Sequence, residues 1–212
     1  MKQVENVSKE VSAADMAGRM DLRDWMMVTI DGEDAKDLDD AVSVYKEGEN
    51  YILGVHIADV SNYVQERSAL DVEALKRGTS VYLVDRVIPM LPHQLSNGIC
   101  SLNEGVDRLV MGCRMEIDDT GSVINSEIFE GVINSKHRMT YDDVNKILNG
   151  DESLIKEYED IYEMLLNANS LSKILNEMRI KRGAFMFETP EAKLILNEKG
   201  YVKDIVLRSR RD

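Results

Sequence analysis

A dense cluster of carboxylates in residues 29–40 is the feature of this sequence with the clearest chemical meaning. Five aspartates and one glutamate occupy ten positions, directly after the apolar run 25–30 and before a second apolar run, 41–45. Carboxylates this close repel one another unless they stay solvated, take up a proton or bind a cation. Hard divalent cations prefer oxygen ligands, so the pattern indicates a Mg²⁺ site, with Mn²⁺ as the alternative ion.

A solvated acidic turn is the competing interpretation. The chain has a formal net charge of −13, and runs of like charge commonly remain in water. The segment is not an EF-hand loop, which needs Asp-x-Asp-x-Asp-Gly and a glutamate at the twelfth position. Here Gly32 is second, and Val42 is twelfth from Asp31. The two flanking apolar runs favour a site, because a plain surface turn between strands needs no such number of acids.

The spacing of the aspartates constrains the backbone. In an extended chain Asp37 and Asp39 point to one side and Asp40 to the other. A shared metal centre therefore requires a bend near residues 38–40. Asp31 lies six positions before Asp37, so the intervening residues must loop back, and glycine at the second position of the loop permits a sharp turn.

Several short motifs along the chain resemble the catalytic (RNB) domain of the ribonuclease II and ribonuclease R family of exoribonucleases, most closely its ribonuclease R branch. Besides the acidic segment, the matching motifs lie at residues 18–24, 55–61, 77–83, 87–92 and 95–103. Similarity is strong over residues 18–114 and patchier beyond. Because several motifs occur in the family's order, the match is more specific than any single short pattern.

The resemblance implies hydrolysis of RNA from its 3′ end, one nucleotide at a time, to nucleoside 5′-monophosphates. By motif position, the family's four metal-site aspartates correspond to Asp31, Asp37, Asp39 and Asp40. In a two-ion mechanism, one ion activates the attacking water and the other stabilises the leaving oxygen. The resemblance also makes Asp39 the position expected to be most sensitive for chemistry.

Two tyrosines are candidate RNA contacts on the same basis. Tyr82 resembles the family position that stacks near the 3′-terminal nucleotide, and Tyr141 resembles a position that contacts RNA further out. Stacking on bases tolerates any sequence, as a general degrader requires. The alternative is that both are half-buried packing residues.

The family's catalytic domain is longer than this chain of 212 residues, and it is flanked by small RNA-binding cold-shock and S1 domains. We therefore expect a lead-in segment at 1–24 and, at 25–212, the N-terminal part of an RNB catalytic domain. The resemblance places the flanking domains and a catalytic arginine outside this sequence, so the fragment alone is expected to be inactive. Its net charge of −13 also argues against strong RNA binding by this piece, because phosphate contacts depend on Lys and Arg.

Other features of the composition indicate a cytoplasmic location. The hydrophobic content of 43% suffices for a core, and neither a membrane-spanning stretch nor a secretory signal is evident. Cys100 and Cys113 lack metal-ligand spacing and are interpreted as reduced core residues. His56, inside an apolar strand, is interpreted as a hydrogen-bonded structural histidine.

The periodicity predicts an α+β fold, with a mostly antiparallel sheet and packed helices. Predicted strands cover residues 25–30, 40–45, 51–58, 80–84, 107–117, 122–133, 192–196 and 201–207. Predicted helices cover a short turn around 13–20, then 70–77, 141–148 and a long amphipathic helix at 152–181.

Three functions remain open at this point. The first is a metal-dependent exoribonuclease fragment that acts on the 3′ end of single-stranded RNA. The second is a non-catalytic module that binds divalent ions or RNA, and the third is another metal-dependent phosphoesterase acting on DNA or small nucleotides. Selective affinity for RNA ends separates the third from the others, because the 2′-hydroxyl distinguishes RNA. Activity with and without the Asp39 carboxylate separates the first from the second.

Overall fold

The computed structural model describes residues 8–185 and 191–208. Its strands are β1 (Met20–Asp21), β2 (Val28–Asp31), β3 (Asp40–Glu47), β4 (Asn50–Ala58), β5 (Val81–Tyr82), β6 (Val87–Ile88), β7 (Asp107–Ile117), β8 (Val123–Asn134), β9 (His137–Thr140), β10 (Glu191–Leu196) and β11 (Val202–Arg208). Its α-helices are α1 (Ala13–Met16), α2 (Ala69–Arg77), α3 (Tyr141–Leu148), α4 (Glu152–Glu157) and α5 (Glu159–Lys181). The predicted α+β class is confirmed.

A seven-stranded sheet forms the centre, with strand order β1-β8-β7-β4-β3-β2-β9. The four central pairings, from β8 to β2, are antiparallel. Both edges are parallel, because β1 pairs with β8 and β9 pairs with β2. The hairpin signals in the sequence predict antiparallel neighbours and so miss both parallel pairings. Strand β9 is also missing from the predicted strands. Parallel partners are distant in sequence and need a crossover connection, so no local turn announces them.

Alternating side chains on the sheet supply two hydrophobic cores, one on each face. One core lies beneath the three C-terminal helices and includes Val28, Val44, Tyr51, Ile117, Met139, Ile147, Ile161, Met164, Leu165 and Leu171. The other lies beneath the lead-in segment and the chain between β4 and β7, and includes Leu22, Met27, Leu38, Ala41, Ala58, Leu70, Leu95, Ile99, Cys100, Leu102, Val110 and Ile133. The acidic segment thus contributes the buried Leu38 to the second core, and the partly buried Ala35 packs against it.

Most helix boundaries follow the predicted signals. The Ser68 hydroxyl caps α2, and Gly78 ends it with a φ of 71°. The Thr140 hydroxyl caps α3 as predicted by accepting the Asp143 N–H. The predicted continuous helix at 152–181 is wrong, because Tyr158 interrupts it with φ −110° and ψ 35°.

Tertiary packing accounts for that interruption. The Tyr158 ring packs edge-on against His137 of β9, with ring centroids 5.3 Å apart. The His137 ring also lies 2.8 Å from the Asp160 carboxylate in the first turn of α5. These contacts join the helix break to the edge strand, and helix propensity is weak enough for such packing to override it.

Other local predictions need smaller corrections. The predicted strand at 80–84 shrinks to β5, which pairs only with β6 in a separate ribbon. Both cysteines are free, with Cys100 buried and Cys113 half-buried. His56 is fully buried, but within the described residues neither ring nitrogen has a hydrogen-bond partner. The prediction that this histidine is hydrogen-bonded is therefore wrong. None of the helices in the described residues combines the length and apolar character that crossing a membrane requires.

Candidate functional site

The acidic loop, defined here as residues 32–39, connects β2 to β3. The two strands share a paired position at Val28 and Val42 and then diverge, so the connection is an open loop rather than a tight hairpin. Asp31 ends β2 and Asp40 begins β3. The first and last predicted metal ligands therefore lie at the ends of two neighbouring strands of the rigid sheet.

A buried serine fixes the middle of the loop. The Ser101 side chain is fully buried. Its hydroxyl accepts the N–H of Leu38 at 3.0 Å and donates to the carbonyl of Lys36 at 2.9 Å. The carbonyl of Leu38 in turn accepts the N–H of Leu102 at 2.8 Å. Leu38 itself is only 2% exposed, so the loop is pinned inward at this residue.

Pinning Leu38 inward directs its neighbours toward solvent. Asp37 is half-buried, whereas Asp39 and Asp40 are exposed. The Asp39 carbonyl accepts the N–H of Ala58 at 2.8 Å, which joins the end of the loop to the end of β4. The four carboxylates thus lie at the ends of β2 and β3, and the contacts from Ser101, Leu102 and Ala58 hold the loop through its main chain.

The carboxylates influence one another electrostatically. Partial desolvation, followed by the negative charges of Asp37, Asp40 and Asp31, raises the pKa of Asp39. Desolvation and the charge of Asp31 raise the pKa of Asp40. Both pKa shifts mean that ionisation of these carboxyl groups is disfavoured in the loop. A bound cation would offset that cost.

The four aspartates suit a hard divalent ion by their chemistry, because every donor is a carboxylate oxygen. Their side chains are not already closed around an ion. In the described part of the chain, no three Asp, Glu, His or Cys side chains are arranged so that they could hold one metal as they stand. Ligation therefore requires side-chain rotation on the backbone frame that Ser101 holds, and the predicted ligand set stays a prediction.

The acidic loop forms one wall of an open groove of about 1460 Å³. This exceeds the volume of roughly 300–1,000 Å³ that is typical of a small-molecule pocket. The groove is lined by three of the four aspartates, by both candidate tyrosines and by further polar residues that include Ser80, His93, Ser96, Asn97, Thr140 and Lys146. Asp40 does not line it. The dimensions suit a segment of a polymer better than a single small ligand.

Both candidate tyrosines are exposed at this groove. Tyr82 is 68% exposed and Tyr141 is 57% exposed, so the half-buried packing alternative does not describe either ring. The Tyr82 hydroxyl donates to Asp37 Oδ2 at 3.2 Å. The negative charge of Asp37 is the main cause that raises the pKa of Tyr82. This hydrogen bond ties the β5–β6 ribbon to the acidic loop.

Sequence reasoning missed the residues that hold the loop. Ser101 lies in a motif that carried the family resemblance, but nothing in its spacing assigned it a role. Arg108 is buried and donates to the carbonyls of Ser101 at 2.8 Å and Gly98 at 3.2 Å; burial lowers its pKa. Arg138, whose side chain also contacts the acidic loop, belongs to a short basic group. Such a group is equally typical of a solvated surface, so its sequence did not indicate this role. The contact between Ser101 and Leu38 joins residues 63 positions apart, so no local pattern predicts it.

Comparison with known proteins supports the resemblance seen in the motifs. The RNB domain family model matches residues 19–212. Ribonuclease R of Thermotoga maritima is 56% identical over 212 residues, which cover 99% of this chain and 30% of that protein. The chain therefore spans less than a third of the length of that relative.

Two solved structures of Mycoplasma genitalium RNase R share the fold. The complex with double-stranded RNA has a TM-score of 0.88 at 34% identity, covering 98% of this chain and 37% of that chain. The complex with ribose-methylated single-stranded RNA has a TM-score of 0.89 at 33% identity, covering 99% and 32%. The partial RNB-type architecture predicted from the sequence is therefore confirmed.

Proposed function

Because the chain belongs to the RNB domain family, we propose that it is the N-terminal part of the catalytic domain of a 3′-to-5′ exoribonuclease of the ribonuclease R type. The substrate would be the 3′ end of single-stranded RNA, and the products would be nucleoside 5′-monophosphates. The observation that carries the proposal is the acidic loop on the wall of a polymer-sized groove, within a chain that matches this family along nearly all of its length.

The metal part of the proposal assigns Asp31, Asp37, Asp39 and Asp40 to bind Mg²⁺, with Mn²⁺ as the alternative. The support is their uniform carboxylate chemistry, and the partial desolvation and neighbouring negative charges that raise the pKa values of Asp39 and Asp40. When bound, two such ions supply an activated water and charge stabilisation at the leaving oxygen. Asp39 is the proposed catalytic position, and the ground for choosing it among the four is the family resemblance.

The chain's own residues would orient the RNA strand. The rings of Tyr82 and Tyr141 are exposed at the groove, and stacking on bases contributes about 1–3 kcal/mol per base without sequence preference. The Asp37 carboxylate accepts the Tyr82 hydroxyl and so restrains one ring beside the metal ligands. With a net charge of −13, this part of the protein would depend on basic groups elsewhere for most phosphate contacts.

A segment exchange tests this function. The matching segment of the Thermotoga maritima relative is replaced by this chain, and the hybrid is incubated with a 5′-labelled RNA oligonucleotide and Mg²⁺. We expect stepwise shortening from the 3′ end with release of 5′-monophosphates. Asp39→Asn is expected to abolish hydrolysis while RNA binding persists.

The other two functions predict different results in the same assay. A non-catalytic module would bind the RNA without shortening it, although the unmodified relative shortens it. A phosphoesterase of another kind would hydrolyse a DNA oligonucleotide of the same sequence as fast as the RNA.

The proposed cytoplasmic location rests on the free state of both cysteines, which is usual for reduced compartments.

A further inference from the structure

Arg138 reaches from β9 to the acidic loop and contacts main-chain oxygens there. Its Nη2 atom donates to the carbonyl oxygens of Glu33 and Ala35, both at 2.8 Å. The carbonyl oxygen of Gly32 lies at 3.5 Å from the same atom. One nitrogen thus joins several carbonyls of the stretch that separates the first predicted metal ligand from the other three.

The base of this arginine is rigid. Strand β9 pairs in parallel with β2, which places Arg138 beside Thr29. The backbone N–H of Arg138 donates to Glu104 Oε2 at 2.8 Å. The guanidinium therefore extends from the strand next to β2, and it sets the path of the loop relative to the end of β2.

The choice of carbonyl acceptors is informative. An arginine next to carboxylates usually pairs with one of them, since charge-assisted hydrogen bonds are the stronger ones. Arg138 forms no ion pair among the described residues, although Glu33 and Asp34 belong to the same loop. The loop is thus held through its backbone, and Arg138 itself takes up none of the carboxylate oxygens that a cation would need.

We propose that Arg138 is a positioning residue, which fixes the acidic loop so that the aspartates on either side of it can ligate a divalent ion together. The proposal rests on the metal site proposed above, and it extends that site to a residue outside the ligand set. Arg138 itself contacts neither the ion nor the RNA in this role. Its loss would leave the ligands chemically intact while their spacing became variable.

Amide hydrogen exchange tests the clamp without any metal. The reporter is the N–H of Ala35, which donates to the carbonyl of Gly32 at 3.1 Å. In the 212-residue chain, NMR should show exchange at Ala35 faster by about tenfold or more in Arg138→Met, because hydrogen bonds to a charged donor are lost. Arg138→Lys should show a smaller increase, since a single nitrogen makes all three contacts. Unchanged exchange in Arg138→Met would overturn the proposal.

Arg114→Met is the matched control. Arg114 is also an exposed strand arginine, and its guanidinium pairs with Glu127 at 3.2 Å rather than with the loop. Its replacement removes the same charge and should leave exchange at Ala35 unaltered. Exchange of the β4 amides, which carry none of the substitutions, should be equal in all variants, which verifies that the sheet remains folded.

Titration with Mn²⁺ then tests the consequence for the ion. Charge alone predicts tighter Mn²⁺ binding when a nearby cation is removed, whereas positioning predicts weaker binding. We expect Arg138→Met to weaken the affinity about tenfold, Arg138→Lys to recover part of it, and Arg114→Met not to weaken it. Faster exchange with unchanged Mn²⁺ affinity would show that Arg138 orders the loop without positioning ligands, and would overturn the proposal.

The two measurements separate this proposal from the proposed function. If the wild-type chain binds no Mn²⁺, the proposed metal site is wrong, whereas the exchange result still reports whether Arg138 clamps the loop. If Mn²⁺ binds and Arg138→Met has no effect on either measurement, the metal site stands and the positioning role fails.

Discussion

The hydroxyl of Tyr82 donates to the carboxylate of Asp37 at 3.2 Å. This contact joins a separate two-stranded ribbon to the loop that carries the candidate metal ligands. Tyr82 therefore restrains one of the candidate carboxylates, and its exposed ring is the stacking surface proposed for RNA.

Substitutions at Tyr82 should separate these two roles. Tyr82→Phe keeps the ring and should bind RNA nearly as well as wild type in the hybrid protein. Tyr82→Ala removes the stacking surface and should weaken RNA binding by about 1–3 kcal/mol. Binding is measured by fluorescence anisotropy with a labelled oligonucleotide. Tyr201→Ala, at another exposed tyrosine, should have no effect, and equal weakening by both alanine variants would contradict the assignment.

Divalent ions should stabilise the chain through the four aspartates. An ion that binds only the folded state at a hundred times its Kd contributes about 2.7 kcal/mol, which corresponds to a rise in Tm of roughly 5–10 °C for a chain of this size. Differential scanning calorimetry with Mn²⁺ should show this rise in wild type. Asp39→Asn and Asp31→Asn should reduce it.

Asp119→Asn is the control for that experiment, because it removes an exposed aspartate in the turn between β7 and β8. Its response to Mn²⁺ should equal that of wild type. Without ions, Asp39→Asn should be at least as stable as wild type, because partial desolvation and three neighbouring carboxylates disfavour the ionised Asp39. A uniform response to Mn²⁺ in all four proteins would place the ion elsewhere.

The isolated chain should not degrade RNA, even with Mg²⁺. It covers 30% of the length of its Thermotoga maritima relative, and its net charge of −13 disfavours the phosphate contacts on which RNA binding depends. The assay compares the 212-residue chain with the hybrid protein on one labelled RNA. Processive shortening by the isolated chain, lost on Asp39→Asn, would refute the expectation.

Acid should destabilise the fold through His56. Burial lowers the pKa of His56 to about 4 from its ordinary value of 6.5, so between these values the unfolded chain binds a proton that the folded chain does not. The resulting stability is fully present above about pH 6.5 and is lost as the pH falls toward 4, by about 3 kcal/mol in all. Urea denaturation at a series of pH values measures the slope.

His56→Gln should flatten that slope, because it replaces the titrating group by a neutral amide. Its absolute stability can differ from wild type, so the comparison concerns only the change with pH. His93→Gln alters an exposed histidine at the groove and should retain the wild-type slope. Identical slopes in wild type and His56→Gln would show that other groups cause the acid sensitivity.

The sequence alone determined the family, the chemical nature of the site and most of the secondary structure. These properties are encoded locally. The acidic loop, the alternation of β3 and β4, and the Thr140 cap of α3 each depend on residues within a few positions of one another. The division into a lead-in segment at 1–24 and a catalytic part at 25–212 stays a prediction.

Only the tertiary structure decided how the site is supported. Ser101 and Arg138 hold the acidic loop from positions more than sixty residues away, and β9 reaches β2 through a parallel pairing without a local turn signal. The break at Tyr158 likewise results from packing against His137. Each of these contacts forms only when distant segments meet. Their energies come from hydrogen bonds and packing across the fold, which local propensity and spacing do not encode.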